Sequence, residues 1–384
     1  MYIYWPNEFT NWAMVWDYFE GLRTGIAPVL SFLEITNFLL TSNTFFITKH
    51  AYHVMLTGML VLPVIFLKRT WVTFLFFFPL IVLLLLAIEL ILRDSIRMIY
   101  DAAYPFFLLL SIYLTKLSFS SRREIFMIAL ALLGGFFLSM AELSRPFMLL
   151  MLPFIGTWVV VNYWQLKLKR LAIWFFIPIM VLSGTWHLKL IVKHNQLIWS
   201  NHSGCNLANA WAPLIDFDTR NALMEPEEPP LFDAPWKWHN LNTEVHTQNC
   251  NRVRAYVIQQ IGRQPWLAVK TFVRNTIRFC SAQTAMYEND PQSPILDIYR
   301  WIVRITFIFF PLWLVSWFRS LKSTWKKLLS IESLMLFLLL CLCFFPIIGE
   351  HMEAARFLIS VLPFLSYALV KEVEFILSLK DGRT

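Results

Sequence analysis

Charged side chains of two complementary kinds occur at the edges of long apolar runs in this sequence. The residues that could do chemistry there are Glu8, Asp94, Arg97, Asp101, Glu142, Arg145, His351 and Arg356. Arginine donates paired N–H groups to the oxygens of a phosphate or pyrophosphate. A carboxylate acts as a general base or as a ligand of a divalent metal ion. Gathered in one place, these residues would form a site for a phosphate-bearing ligand, with Asp94 and His351 as candidate metal ligands.

The same residues also have simpler structural interpretations. Arg97 and Asp101 are four residues apart, so on a helix they would form an intrahelical ion pair. Glu142 and Arg145 are three residues apart and would pair in the same way. His351 would serve as an ordinary polar residue at the end of an apolar segment. Spacing alone does not choose between these interpretations and a binding site.

The elements that must position these residues are apolar helices. Of the 384 residues, 58% are hydrophobic and 15% are charged, whereas a soluble domain has about 25% charged residues. Nine runs are long enough to cross a hydrocarbon layer: residues 51–67, 71–92, 98–115, 124–141, 147–163, 172–192, 301–318, 329–348 and 356–376. Because backbone amides in lipid must be satisfied within their own helix, the sequence predicts an all-α, polytopic transmembrane helical bundle.

The net charge of +8 comes mainly from alternate connections between the predicted spans. The basic residues there are Lys68, Arg69, Lys116, Arg122, Arg123, Lys167, Lys169, Arg170, Arg319, Lys322, Lys326 and Lys327. This alternation is a membrane orientation signal that makes those connections cytoplasmic, so it argues against nucleic acid as a partner. The other connections then face the periplasm or the lumen of the endoplasmic reticulum. Residues 1–48 would also lie on that side without a signal peptide, so a preceding span is expected.

On this interpretation the chain has four parts. Residues 1–48 form an exterior segment with interfacial helices, and residues 49–192 form a six-span block. Residues 193–298 form an exterior loop domain, and residues 299–384 form a three-span block. The loop domain is predicted to contain a helical stretch at residues 244–279.

Two local features of the loop domain carry further predictions. Pro265 is expected to divide the helical stretch into two helices, because proline interrupts a helix. Cys205 and Cys250 are candidates for a disulfide if the compartment is oxidising. The spacing of the cysteines does not decide how they pair.

Three stretches share motifs with a known superfamily. ALLGGFFLSMAELSRPFMLLMLPF (131–154) ends a span in a small polar patch and Arg-Pro, and EAARFLISVLPFLSYAL (353–369) opens a late span on an arginine and an aromatic residue. NEFTNWAMVWDYFEG (7–21) places an acid before an aromatic-rich helix and a glycine. In this order the chain resembles the GT-C superfamily of integral-membrane glycosyltransferases. Within it, the nearest branch is that of dolichyl-phosphate-mannose protein mannosyltransferases and bacterial lipid A aminoarabinose transferases.

The resemblance implies a membrane enzyme that transfers a sugar from a polyprenyl-phosphate donor to a glycan, lipid or protein acceptor. Glu8 matches the family's catalytic base, and Asp101 matches a second acid. Arg145 and Arg356 match the positions that bind the donor phosphate, and Arg97 is a further candidate for that role. The active face would be periplasmic or lumenal, in a bacterial inner membrane or the endoplasmic reticulum.

Two alternatives stay open at the level of the sequence. Asn7 stands where the family commonly has an acid, which is compatible with an inactive member that has kept the fold. A polytopic transporter also has charged residues at membrane depth. Transporters, however, usually place these residues near the middle of the bilayer, whereas here they lie near the ends of the predicted spans.

Overall fold

The structure is a computed structural model that describes residues 54–63, 99–145, 147–194, 203–215, 244–281, 294–323, 329–349, 358–368 and 370–371. All regular structure in these residues is helical, and none of them lies in a strand. The predicted all-α fold class is therefore confirmed for this part of the chain.

The helices are numbered in chain order. They are α1 (Val54–Pro63), α2 (Ile99–Ser120), α3 (Glu124–Glu142), α4 (Met148–Gln165), α5 (Lys169–Ile179), α6 (Thr185–His194), α7 (Ser203–Ala210), α8 (Glu244–Arg263), α9 (Pro265–Cys280), α10 (Pro294–Ser323), α11 (Ile331–Gly349) and α12 (Leu358–Ala368). A π-helical turn, Met180–Gly184, joins α5 to α6, and a 3-10 turn, Ala212–Leu214, follows α7.

Five helical segments of the described chain are long and apolar enough to cross a membrane. They are Ala102–Ser120, Glu124–Glu142, Met148–Gln165, Lys169–Lys189 and Ile331–Gly349. Each overlaps a span predicted from the sequence. The predicted span 301–318 lies inside the 30-residue helix α10, and the shorter apolar helices α1 and α12 lie inside two others. The predicted span 71–92 lies outside the described residues.

Glycines bring α3 close to its neighbours. A Cβ atom on Gly135 would overlap the carbonyl oxygen of Phe175 in α5, so only glycine permits this approach of the two backbones. The carbonyl of the preceding residue, Gly134, accepts a hydrogen bond of 2.7 Å from Ser111 Oγ in α2. These contacts make α3 the central helix between α2 and α5.

Helices α2 to α5 run in alternate directions, because only a few residues connect each to the next. The bundle therefore has two ends. The basic end consists of the end of α2, the start of α3, the end of α4 and the start of α5. The Glu142 end consists of the start of α2, the end of α3, the start of α4, and helix α6.

At the basic end of the bundle, α4 ends in a helix C-cap. Lys167 has a positive φ of 61°, and its N–H bonds the Trp164 carbonyl at 3.0 Å. The N–H of Leu168 reaches back to the Tyr163 carbonyl at 2.8 Å. This pair of hydrogen bonds is a Schellman motif, which reverses the chain directly into α5.

Helices α7 to α9 form a small second core that includes Trp211, Val253, Val257 and Ala268. This unit is attached to the last turn of α11, where Trp211 Nε1 donates a 2.7 Å hydrogen bond to the carbonyl of Ile348. The break between α8 and α9 falls at Pro265, the first residue of α9. The two helices predicted for this stretch are therefore confirmed.

Candidate functional site

Glu142 and His187 form a buried, hydrogen-bonded pair at the Glu142 end of the bundle. Glu142 is the last residue of α3 and is fully buried. His187 lies in α6, 45 residues away in sequence, and its Nε2 is 2.8 Å from Glu142 Oε1. The side chain of His187 is only 9% exposed. Burying ionisable groups in an apolar bundle is energetically unfavourable unless they are paired, which is why such groups often mark function.

The π-helical turn helps to place His187 on the buried face. Every fourth residue of this stretch is buried: Leu171, Phe175, Ile179, Ser183 and His187. In a regular α-helix of about 3.6 residues per turn, this spacing would drift steadily around the axis. The wider turn of Met180–Gly184 advances less per residue and offsets part of that drift. Ser183 and His187 therefore stay on the face that packs against α3.

The pair does not satisfy all the polar atoms around it. Glu142 Oε2 and Ser183 Oγ are buried, and neither has a hydrogen-bond partner within the described part of the chain. Buried polar atoms in native proteins are usually bonded to protein or to ordered water. These two oxygens can therefore form hydrogen bonds with a water molecule or with a hydroxyl group of a ligand.

The turn that carries Arg145 follows directly on Glu142. The N–H of Arg145 bonds the carbonyl of Glu142 at 3.2 Å, and the N–H of Met148 bonds the carbonyl of Arg145 at 3.0 Å. Arg145 is partly buried in this turn. The backbone of Arg145, the residue predicted to bind phosphate, is thus fixed to the helix end at which Glu142 contacts His187.

An aromatic cluster joins this turn to two other helices. The ring centroid of Phe147 is 5.2 Å from that of Tyr104 in α2 and 5.6 Å from that of Phe345 in α11. Tyr104 is three residues after Asp101, and Phe345 is in the last turns of α11. The start of α2, the Arg145 turn and the end of α11 therefore meet at one end of the bundle.

The other predicted site residues are less fully placed. The backbone of Asp101 lies in the first turn of α2, whereas its side chain is outside the described part of the structure. Outside the described residues altogether are Glu8, Asp94, Arg97, His351 and Arg356. Their predicted catalytic, phosphate-binding and metal-binding roles stay predictions. Within the described residues, no group of three or more His, Cys, Asp or Glu side chains could hold a metal ion.

The cysteines divide into bonded and free residues. Cys250 is fully buried in α8 and is disulfide-bonded, whereas Cys280, Cys341 and Cys343 are free. Helix α7, which includes Cys205, packs against α8. The pairing of Cys205 with Cys250 stays a prediction. Burial raises the pKa of the Cys280 thiol to about 11, so this thiol is protonated at neutral pH.

Sequence reasoning missed His187 and Ser183. A histidine within an apolar run of spanning length is itself a signal, since ionisable residues inside a membrane are usually functional. The partner of His187 was harder to find, because the two residues are on different helices and no spacing rule connects them.

Comparisons of the chain with family models, with curated proteins and with solved structures returned no match.

Proposed function

We propose that this chain is a multi-pass membrane glycosyltransferase of the GT-C type. It has about nine spans in a bacterial inner membrane or in the endoplasmic reticulum, and its active face is periplasmic or lumenal. It transfers a sugar from a polyprenyl-phosphate donor to a glycan, lipid or protein acceptor. The proposal rests on the resemblance of three stretches of sequence and on the arrangement of the Glu142 end.

The observation that best supports this function is the meeting of three chain segments around Phe147. One segment has Asp101 in its first turn, the second contains Arg145, and the third is the end of α11, which Arg356 follows by seven residues in the sequence. Asp101 and Arg145 thus belong to one end of the bundle, and Arg356 is proposed to lie there as well because it follows α11 so closely in the sequence. A lipid-borne phosphate must be bound at such a place, where the apolar helices end.

The proposed reaction is a single displacement with inversion at the sugar. Glu8 accepts the proton of the acceptor hydroxyl as its oxygen attacks the anomeric carbon. The bond from that carbon to the phosphate oxygen breaks, and the electron pair leaves with the polyprenyl phosphate. Arg97, Arg145 and Arg356 stabilise the negative charge that develops on the departing phosphate.

Acidic residues near the donor have supporting roles. Asp101 orients the acceptor, and Asp94 and His351 are the candidate ligands of a divalent metal ion that would add positive charge beside the phosphate. The Glu142–His187 pair has a positioning role, because Glu142 ends the helix from which the Arg145 turn emerges. The contact between Glu142 and His187 would hold Arg145 at a fixed distance from the bundle axis.

A proton-coupled transporter is the second candidate, and one observation favours it. The buried Glu142–His187 pair leaves a carboxylate oxygen without a hydrogen bond inside an apolar bundle. Acid–histidine pairs of this kind carry protons through membrane proteins. The same pair would then change protonation during transport, and no sugar would be transferred.

Reconstituted full-length protein would separate these functions. Vesicles containing the protein receive dolichyl-phosphate mannose or a polyprenyl-phosphate-linked aminoarabinose, and transfer of labelled sugar is measured together with proton flux. Glu8→Gln is expected to lower transfer by about 100-fold or more, because a positioned base contributes about 10² to 10⁴ in rate. Arg145→Ala is expected to raise the donor KM at least tenfold.

Arg263→Gln is the matched control, because it removes an exposed arginine at the end of α8. Its transfer rate is expected to equal that of the wild type. Transfer that survives Glu8→Gln refutes the assignment of the base. Proton flux without sugar transfer, lost in His187→Gln, would favour the transporter, and absence of both activities would favour an inactive member.

A further inference from the structure

Helix α9 has three chemically different faces. One face packs against the rest of the protein and includes the buried residues Ala268, Thr271 and Phe279. Asn275 on this face donates hydrogen bonds to the carbonyls of Ala210, at 2.8 Å, and Ile347, at 3.3 Å. This face fixes α9 beside the last turn of α11, a helix long and apolar enough to cross a membrane.

The opposite face is apolar and exposed. It consists of Trp266, Val269, Val273 and Ile277, whose residues are between 49% and 69% exposed. Their spacing of three and four residues places them in one stripe along the helix. With α11 across a membrane, this stripe would lie at the depth where acyl chains begin.

The flank between these two faces is basic. Lys270, Arg274 and Arg278 follow one another at intervals of four residues, so they form a row along the helix. Two guanidinium nitrogens of Arg274, Nε and Nη2, are buried and bond to no acceptor in the described residues. Burial, and then the charge of Arg278, lower the pKa of Arg274, because both disfavour its positive charge.

No carboxylate lies near Arg274 in the sequence. Residues 245–287 contain no aspartate or glutamate. A cation with buried N–H groups and a like charge beside it is stabilised by an anion that accepts those hydrogen bonds. A phosphate is the anion that best matches a guanidinium fork.

We propose that α9 binds the phosphate of an anionic glycerophospholipid from the surrounding leaflet. On binding, neighbouring side chains move aside so that Arg274 Nε and Nη2 donate hydrogen bonds to the phosphate oxygens, and Lys270 and Arg278 add positive charge on either side. The acyl chains lie along Val273 and Ile277. A lipid is favoured over soluble phosphate because the exposed apolar stripe adjoins the basic row. This inference does not depend on the proposed glycosyltransferase activity, since the stripe faces away from the bundle.

Lipid retention by the purified full-length protein tests this proposal. The protein is exchanged into micelles with defined amounts of phosphatidylglycerol or phosphatidylcholine, and bound lipid is counted by native mass spectrometry. The wild type is expected to retain phosphatidylglycerol at least tenfold more strongly than phosphatidylcholine. Arg274→Gln is expected to remove this preference, and Arg274→Lys to keep only part of it, since lysine has charge but no fork.

Arg263→Gln, which removes an exposed arginine of the neighbouring helix, is expected to keep the full preference. Val273→Gln changes only the exposed stripe and is expected to weaken retention of phosphatidylglycerol about threefold without unfolding the protein. Equal retention of the two lipids by the wild type, or unchanged selectivity in Arg274→Gln, would overturn the proposal. Displacement of phosphatidylglycerol by millimolar inorganic phosphate would also overturn it, because the site would then be specific for a soluble anion.

Discussion

The two ends of the helical bundle carry charge in opposite ways. At the basic end, Arg122, Arg123, Lys169 and Arg170 are exposed. At the Glu142 end, the glutamate is fully buried and its partner His187 nearly so. Exposed charges are solvated and contribute little to stability, whereas buried ones require a partner. The difference makes the Glu142 end the candidate site, and it is compatible with the orientation role predicted for the basic end.

The neutral packing at the two ends differs as well. Near the basic end, the hydroxyl groups of Ser118 and Tyr163 are hydrogen-bonded at 2.7 Å, and Trp158 Nε1 donates a 2.9 Å bond to the carbonyl of Leu329. The Glu142 end contains buried oxygens without hydrogen bonds in the described chain. Thr115 Oγ1, near the basic end, is also buried without a hydrogen bond in the described chain. The two ends therefore differ in the buried carboxyl group and histidine of the Glu142 end, not in complete hydrogen bonding at the other end.

Removing the His187 side chain is expected to give the largest loss of stability. His187→Ala leaves the carboxyl group of Glu142 buried without its hydrogen-bond partner, so the free energy of unfolding should fall by about 3 kcal/mol. Unfolding by sodium dodecyl sulfate in mixed micelles measures the change.

The double variant Glu142→Leu with His187→Leu is the control for this prediction. Replacing both partners by apolar residues removes the buried charge, so stability should return to within about 1 kcal/mol of the wild type. A loss below about 0.5 kcal/mol in His187→Ala would mean that the pair is not buried as described.

Gly135 is the next position in order of expected effect. Gly135→Ala places a methyl group against the carbonyl oxygen of Phe175 and forces α3 away from α5. Helix α3 ends at Glu142, and α5 continues through the π-helical turn to His187. The contact between Glu142 and His187 should therefore loosen, and the free energy of unfolding should fall by about 2 kcal/mol.

Gly262→Ala in α8 is the matched control, because within the described residues no atom apart from the helix's own nearby backbone lies within 4 Å of the Cβ position there. Alanine favours the helix over glycine, so this variant should be neutral or stabilised by up to about 1 kcal/mol. Equal losses in the two glycine variants would contradict the close approach of α3 and α5.

Tyr163→Phe tests the bonded packing near the basic end. The change removes the hydroxyl that bonds Ser118, but Ser118 Oγ still bonds the carbonyl of Thr115 at 2.6 Å. No buried donor is left unsatisfied, so the expected loss is about 1 kcal/mol. The same unfolding titration measures it, and a loss as large as that of His187→Ala would remove the distinction between the two ends.

Local signals in the sequence were sufficient for much of the fold. The apolar runs predicted the five long apolar helices, and Pro265 predicted the division between α8 and α9. Contacts between distant residues could not be predicted in the same way. The Glu142–His187 pair depends on the approach of α3 to α5, which the Gly134–Gly135 pair permits but does not specify. The π-helical turn and the left-handed backbone conformation of Lys167 are likewise not indicated by residue type.

The smallest effect is expected for Lys169 at the basic end. Its Nζ atom lies 3.5 Å from the ring centroid of Trp164, but the lysine is exposed, so the cation–π contact contributes only about 0.5 kcal/mol. Lys169→Gln should therefore lower the unfolding free energy by about that amount, and Lys169→Arg, which keeps the charge over the ring, should restore it. A loss of about 2 kcal/mol would show that charge at the basic end stabilises the bundle as much as buried charge does at the Glu142 end. In that case exposure would no longer separate the end predicted to orient the protein from the end proposed to hold its site.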